Sequence, residues 1–149
     1  MIKQDNFYKE IEADAFFERN KSNDELLFKN LKKNTLRPNK RIIYNTIKEK
    51  YKFNKNTKVL EVGCFIGDLL QYFKLKHKCK VYGIEPSSKA CKLSKKIYSL
   101  NIENTTFINS QFFNLKKNNF QNFDVIIFDD VLSWFDRNII ISSFGVIDW

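Results

Sequence analysis

Residues 59–67 read Val-Leu-Glu-Val-Gly-Cys-Phe-Ile-Gly. This stretch predicts an apolar strand that carries an acidic residue near its end and enters a turn framed by Gly63 and Gly67. A second apolar stretch, residues 80–84, is followed by another acidic residue, Glu85. A glycine turn lets backbone N–H groups approach an anionic group, and a carboxylate at a strand tip accepts hydrogen bonds from ribose hydroxyls. Their order and spacing indicate a site for a nucleoside-containing cofactor.

The residues around this stretch alternate between strands and helices. The pattern predicts strands at residues 59–62, 81–84, 106–108 and 125–128, and helices at residues 39–51, 67–75 and 87–98. Continuous apolar strands separated by helices imply a parallel sheet with helices on both faces. Right-handed crossovers then give an open α/β sheet with a ligand crevice at the carboxyl ends of its strands.

The N-terminal part is predicted to be helical in two pieces between residues 5 and 31. One face of the first piece carries Ile11, Ala15 and Phe16, and the second piece carries a group of leucines at 26, 27 and 31. We expect residues 1–57 to form a helical segment that covers the domain whose core is residues 58–149. Residues 132–135 and 139–149 read as further apolar helical material.

Size and composition limit the class of protein. A chain of 149 residues suits one domain with its own core. Its net charge of +9 comes almost entirely from lysines spread along the chain, which argues against a nucleic-acid partner. No apolar run is long enough to span a bilayer. Three cysteines without CxxC spacing indicate neither a disulfide framework nor a metal site, so we expect a cytoplasmic protein with no metal.

From residue 59 to residue 135 the sequence resembles the class I S-adenosylmethionine-dependent methyltransferases, which have a Rossmann-like fold. In this family an acid and then alternate glycines follow the first strand. Glu61, Gly63 and Gly67 match that pattern, whereas Phe65 replaces the middle glycine. The resemblance implies S-adenosyl-L-methionine as the cofactor and a sheet of strand order 3-2-1-4. A side chain at position 65 has to point away from the ligand, or the cofactor has to sit slightly displaced.

The resemblance also implies roles for individual residues. The turn from Gly63 to Gly67, including Cys64 and Phe65, would face the methionine portion of the cofactor, and Glu61 would orient its amino group. Glu85 would hold the ribose hydroxyls, and Pro86 would lie against the adenine. Gln111 would contact the adenine ring, and Phe112 would flank it.

The fourth predicted strand ends in two adjacent carboxylates, Asp129 and Asp130. The family's fourth motif ends near the sulfonium and the acceptor. Asp130 is therefore the candidate general base, because one of two neighbouring carboxylates in a partly closed cleft has a raised pKa. The alternative is that Asp129 contacts the cofactor and Asp130 caps the next helix. His77, the only histidine, is expected in a surface loop at the opposite end of the sheet.

Two other functions compete with this interpretation. A dinucleotide-binding oxidoreductase would need glycines where Phe65 and Asp68 stand. A non-catalytic cofactor-binding module or inactive fragment is the second alternative. Because no Pro-Cys and no Asp/Asn-Pro-Pro-aromatic motif follows the fourth strand, we expect a small-molecule or sugar-like acceptor, methylated at oxygen.

The family's sheet has seven strands and four are legible here, so we expect the sequence to be incomplete at its C-terminus. The fourth strand would then be an apolar edge that a partner chain or a second copy would cover. Phe16, Phe17 and Tyr8 are candidates for a lid over the substrate, with core packing as the alternative.

Overall fold

The computed structural model describes residues 8–20, 36–114, 116–117 and 119–132. Its strands are β1 (Lys58–Val62), β2 (Lys80–Ile84), β3 (Ile102–Glu103), β4 (Phe113–Asn114), β5 (Asn119–Phe120) and β6 (Val125–Phe128). Four of them form a parallel sheet in the order β3-β2-β1-β6, and β4 pairs with β5 as a separate antiparallel hairpin. This sheet confirms the predicted Rossmann-like order 3-2-1-4, with β6 as its fourth strand.

The helices are α1 (Ala13–Asn20), α2 (Pro38–Lys50), α3 (Asp68–His77) and α4 (Ser88–Tyr98), and a π-helical turn at Tyr8–Glu12 precedes α1. Local chemistry fixes several of their ends. Pro38 opens α2, where its missing N–H costs nothing. The Ser87 hydroxyl accepts a hydrogen bond from the Ala90 N–H and caps α4. Among the described helices, none is long and apolar enough to cross a membrane.

One face of the sheet is packed by helices. Val59 of β1 and Ile127 of β6 lie in a core cluster with Leu69 and Phe73 of α3 and with Tyr44 of α2. All five side chains are buried. Helices α2 and α3 are therefore held against the sheet by burial of apolar surface, which fixes where their first residues lie relative to the strand ends.

The described part of the opposite face is covered by an aromatic segment. Leu60, Val62 and Ile84 project to this face and pack against Phe107 and Phe113. The rings of Phe107 and Phe113 lie 4.6 Å apart, centroid to centroid. Within the described residues, non-helical chain between residues 107 and 123 supplies this layer.

The third strand differs from its prediction. Residues 106–108 were expected to form it, but the strand that pairs with β2 is Ile102–Glu103, and residues 107–109 form a turn. Phe107 is buried among other aromatic rings, so tertiary packing outweighs the β propensity of this threonine- and isoleucine-rich stretch.

The first helix also presents a different face from the one predicted. Ala13 and Phe17 are buried, whereas Ile11 is 57% exposed and Phe16 is 43% exposed. The π-helical turn winds with i→i+5 hydrogen bonds, which shifts the buried stripe relative to a regular α-helix. The predicted helical pieces at residues 26–31 and beyond residue 132 lie outside the described residues.

Candidate functional site

The glycine turn follows β1 and is hydrogen-bonded to the end of β2. Gly63 has φ +70° and Gly67 has φ +76°, values that favour glycine. The N–H groups of Gly63 and Cys64 both donate to the Ile84 carbonyl oxygen, over 2.8 Å and 3.2 Å. The turn is therefore fixed against the carboxyl end of the neighbouring strand.

Close packing is a second reason for glycine at both positions. A Cβ on Gly63 would overlap the side chain of Val131, and a Cβ on Gly67 would lie 2.9 Å from Leu100 Cδ1. Cys64 is fully buried beside this turn, and burial raises the pKa of its thiol well above the usual value. The described packing thus accounts for small side chains here, and contact of these residues with a cofactor stays a prediction.

Phe65, which stands at the position of the middle glycine in the resemblance, takes a left-handed conformation with φ +53°. Its ring lies 5.6 Å from that of Phe17 and 6.2 Å from that of Phe16, so it packs against α1. The Phe65 N–H donates to Glu85 Oε2 over 2.8 Å. The bend at residue 65 thus accommodates a phenylalanine, whose ring packs toward the N-terminal helix.

Glu85 links the two strand ends. Besides the bond from Phe65, its Oε1 accepts a 2.8 Å hydrogen bond from the Ser87 N–H. Glu85 is 6% exposed. Burial raises its pKa to about 7, although these two backbone hydrogen bonds favour the ionised form. The carboxyl group thus faces the glycine turn, as the sequence predicts, and both of its oxygens are already engaged by backbone donors.

Glu61 forms the most unusual part of the site. Lys40 of α2 donates to Glu61 Oε1 over 2.6 Å and forms an ion pair with Asp129 Oδ2 at 2.8 Å. Glu61 is fully buried and Lys40 is 4% exposed. Burial raises the pKa of Glu61 to about 7, with Lys40 acting against this shift. Burial acts to lower the pKa of Lys40, but the nearby carboxylates outweigh it and hold the ammonium charged.

The second oxygen of Glu61 has no partner. Among the described residues, Oε2 is the only carboxylate oxygen that is buried without a hydrogen bond. Two carboxylates, Glu61 and Asp129, share the single ammonium of Lys40. The cluster therefore carries one surplus negative charge and one free buried acceptor, which together fit a cationic group of a ligand.

A second ion pair stands next to this cluster. Arg37, which precedes α2, forms two hydrogen bonds of 2.9 Å with the carboxylate of Asp68 at the start of α3. Neither Arg37 nor Lys40 belongs to the motifs that predict the site from sequence. A signal for Lys40 was present, since positions 40, 44, 47 and 51 follow the i, i+4, i+7 spacing of a buried helix face.

The residues predicted to contact the adenine lie in two different parts of the structure. Pro86 lies next to Glu85 at the end of β2, and its carbonyl oxygen accepts a 2.8 Å hydrogen bond from Asn104 Nδ2. Gln111 has an exposed side chain, and its N–H donates to Glu103 Oε1 at the end of β3. Both are near the carboxyl edge of the sheet, where a nucleoside contact remains a prediction.

Phe112, the residue predicted to flank the adenine, packs among aromatic rings. Its ring packs 5.5 Å from Tyr82 and 5.5 Å from Phe123, within the aromatic layer on one face of the sheet. Tyr82 lies in the middle of β2, away from its carboxyl end. The ring of Phe112 thus contributes to this layer, and contact of Phe112 with an adenine stays a prediction.

The two acids after β6 are in different environments. Asp129 is held by Lys40, whereas Asp130 is exposed and has φ +58°. Val131 then packs against Gly63. The partly closed cleft expected around Asp130 is not present among the described residues.

Comparison with known proteins supports the resemblance. The sequence model of the methyltransferase domain family matches residues 53–143. Among solved structures, PKMT2 from Rickettsia typhi in complex with AdoHcy aligns over 59% of this chain and 17% of its own, with 25% identity and a TM-score of 0.42. YjhP from E. coli aligns over 64% of this chain and 31% of its own, with 17% identity and a TM-score of 0.36. No curated protein sequence matches the chain significantly.

The match to the family model covers more than half of the chain and includes the glycine turn, Glu85 and the end of β6. The chain spans less than a third of each of the two solved structures named above. S-adenosyl-L-methionine is the cofactor of the family. The protein therefore belongs to the methyltransferase domain family, in the class I S-adenosylmethionine-dependent group that its motifs resemble.

Proposed function

We propose that this chain binds S-adenosyl-L-methionine across the carboxyl ends of β1 and β2 and transfers its methyl group to an oxygen of a small-molecule or sugar-like acceptor. One observation carries the cofactor part of this proposal. Glu61 Oε2 is buried without a hydrogen-bond partner in a cluster with a surplus negative charge. A methionine ammonium supplies the missing donor and the missing charge.

The other residues of the site suit the rest of the cofactor. The bend from Gly63 to Gly67 would lie along the methionine portion. Glu85 uses one acceptor position on each oxygen for backbone N–H groups, and a carboxylate has about four such positions, so ribose hydroxyls have acceptors left. Pro86 and Gln111 would contact the adenine.

Binding requires the site to open, because Glu61 is fully buried and Glu85 nearly so. Two sets of contacts close it. Val131 covers Gly63, and the carboxylate of Asp14 in α1 accepts hydrogen bonds from the hydroxyls of Ser87 and Ser88, next to Glu85. We propose that residues 1–57 cover the site, with Phe16 and Phe17 packed on the turn, and that residues 58–149 form the methyltransferase core.

When bound, S-adenosylmethionine supplies an electrophilic methyl group on a sulfonium that leaves readily. The residues of the chain then have to align the acceptor, exclude water and, for a hydroxyl acceptor, take up a proton. Asp129 is engaged by Lys40, which leaves Asp130 as the candidate base. Its left-handed backbone is a local strain of the kind found at functional sites.

Titration calorimetry with S-adenosylhomocysteine tests the cofactor site. We expect measurable binding heat for the wild-type chain and a loss of at least about tenfold in affinity for Glu85→Gln, which removes a charged acceptor. Glu49→Gln, an exposed change at the far end of α2, is the matched control and should bind like wild type. Absence of heat at millimolar ligand would contradict the proposal.

Substitution of Asp130 tests the base. Asp130→Asn should abolish methyl transfer to hydroxylated small molecules and sugars while S-adenosylhomocysteine still binds. The measurement is formation of S-adenosylhomocysteine with a panel of such acceptors. Unchanged turnover in the variant would remove Asp130 from the mechanism.

The exposure of Asp130 also favours a second candidate function, a cofactor-binding module without transfer activity. Binding of S-adenosylhomocysteine without turnover on any acceptor in the panel would support it. Both functions suit a cytoplasmic location, which the spacing of three free cysteines indicates.

We propose further that a partner chain or a second copy covers the edge of β6, which pairs only with β1 among the described strands. Size-exclusion chromatography would then show a species larger than the monomer. A monomer at micromolar concentration would contradict this part of the proposal.

A further inference from the structure

Lys40 is the only buried lysine among the described residues. It lies in the first turn of α2, four residues before Tyr44, so both side chains point from the same helix face into the protein. Packing of Tyr44 in the helix-facing core thus fixes the position of Lys40 over the carboxyl end of β1.

The lysine joins two strand ends. Its ammonium is 2.6 Å from Glu61 Oε1 and 2.8 Å from Asp129 Oδ2. Glu61 is in β1 and Asp129 directly follows β6, the neighbouring strand. Lys40 therefore holds two carboxylates in a fixed relation across the gap between the strands, and each of them contributes one oxygen to it.

Several other charged or titratable groups surround Glu61. Asp68 of α3, Asp129 after β6 and Glu85 after β2 all interact with it, and the thiol of Cys64 is also close. Asp68 is engaged by Arg37. Among these groups Lys40 is the one cation that contacts Glu61 directly, so it is the group that favours the ionised form of this fully buried carboxyl against the effect of burial.

We infer that Lys40 is a positioning residue for the cofactor: it orients Glu61 and favours its charged form, which leaves Oε2 as the acceptor for the amino group of the cofactor's methionine. This inference rests on the proposed cofactor function. Lys40 acts through Glu61, because both of its contacts are to carboxylates of the protein. Without the lysine, burial favours the protonated carboxyl, which offers no charge to an ammonium.

Comparing the binding of two ligands distinguishes this role of Lys40 from a purely structural one. S-adenosylhomocysteine carries the amino-acid tail, and 5′-methylthioadenosine has the same adenine and ribose without it. We expect Lys40→Met to weaken S-adenosylhomocysteine by at least about tenfold at pH 7 while 5′-methylthioadenosine binds as before. Lys50→Met, an exposed lysine at the end of the same helix, is the control and should change neither affinity.

The pH dependence gives a second readout. In wild type the ratio of the S-adenosylhomocysteine affinity to the 5′-methylthioadenosine affinity should rise with pH, with its midpoint near pH 7, the pKa of Glu61, and level off above about pH 8. In Lys40→Met the same rise should continue beyond pH 8, because the carboxyl then loses its proton only at higher pH. If the ratio of the two affinities in Lys40→Met equals that of wild type at every pH, the inference is overturned.

A double-mutant cycle keeps the test informative if Lys40→Met does not fold. Lys40→Met combined with Glu61→Gln has no buried charge left unpaired between these two residues. Its affinity ratio should equal that of Glu61→Gln alone, because Lys40 acts through Glu61. A further loss in the double variant would overturn the inference. If wild type binds neither ligand, the proposed function itself is wrong, which is a distinguishable result.

Discussion

The two ends of the sheet contrast in how their buried polar groups are satisfied. At the amino end, the Tyr44 hydroxyl and His77 Nε2 are hydrogen-bonded at 2.8 Å within a group of aromatic rings that includes Phe53 and Phe73. At the carboxyl end, a fully buried carboxylate oxygen of Glu61 has no partner. One helix, α2, contributes to both ends, with Tyr44 at one and Lys40 at the other.

This contrast distinguishes a structural cluster from a candidate ligand site. His77 is half-buried and ends α3, so the expectation of a surface-loop histidine was wrong, although it does lie at the end of the sheet away from the glycine turn. The Nε2 atom of His77 is hydrogen-bonded to the Tyr44 hydroxyl. A charged oxygen left without a partner is costly to bury, and a bound cation removes that cost.

The largest expected effect is on stability at the carboxyl end. Lys40→Met leaves Glu61 buried without its cation and should lower the free energy of unfolding by about 3–5 kcal/mol. The double variant Lys40→Met/Glu61→Gln should recover most of that loss. Urea unfolding of wild type, single and double variants at one pH measures this. Equal stability of wild type and Lys40→Met would show that the ion pair contributes little.

The two ends should respond to pH in opposite directions. Burial raises the pKa of Glu61 and of Glu85 from 4.5 to about 7, so the folded state retains protons that the unfolded chain releases. The free energy of unfolding should therefore fall as pH rises from about 4.5 to about 7, and level off above. Burial, helped by the charge of Lys76, lowers the pKa of His77 below 6.5, so its contribution is lost as pH falls below 6.5.

Urea unfolding across this pH range, for wild type, Glu85→Gln and His77→Asn, separates the two contributions. Glu85→Gln should reduce the loss of stability between pH 4.5 and 7. His77→Asn should remove only the smaller change in the acid range. Identical pH profiles for all three proteins would mean that neither group titrates differently on folding.

A moderate effect is expected at the amino end. Tyr44→Phe removes the hydrogen bond to His77 and should cost about 1 kcal/mol of stability, while the affinity for S-adenosylhomocysteine stays unchanged. Tyr72→Phe, which removes a hydroxyl bonded to the exposed Lys76, is the control and should cost less. If Tyr44→Phe weakened the ligand tenfold, the two ends would not be functionally separate.

The smallest effect concerns the cover formed by α1. Burial acts to raise the pKa of Asp14, but hydrogen bonds from Ser87, Lys89 and Ser88 outweigh it and lower the pKa. Asp14→Ala should cost about 0.5 kcal/mol, typical of a carboxylate at a helix N-terminus, and should speed both association and dissociation of S-adenosylhomocysteine.

Stopped-flow binding measures these rates. Glu12→Gln, which removes an ion pair with Arg19 on the surface, is the matched control. Rates that are the same in Asp14→Ala and wild type would show that α1 does not limit access to the site.

Much of the fold follows from local patterns in the sequence. The limits of β1, β2, β6 and α4 agree with their predictions to within about one residue, because these are long apolar or strongly amphipathic stretches with clear punctuation. β3 was misplaced, since two residues of pairing carry too little pattern to compete with the stretch around Phe107. The π-helical turn before α1 left no sequence signal that we recognised.

The sequence likewise pointed to only some residues of the candidate site. Glu61 and Glu85 were identified from sequence because they stand at fixed positions relative to strands and glycines. The ring of Phe112 packs in the aromatic layer, and its contact with the adenine stays a prediction. Lys40 and Arg37 were missed, because their partners Glu61 and Asp68 are 21 and 31 residues away along the chain.

By itself the sequence determined a parallel α/β sheet, the bend between β1 and the following helix, and the two acids at the strand tips. These follow from local periodicity and from the conformations that only glycine adopts readily. Only the tertiary structure decided that a lysine from α2 neutralises one of those acids, that Phe65 packs on α1, and that one oxygen of Glu61 stays without a partner. Those features depend on contacts between distant segments, which packing sets and no local pattern records.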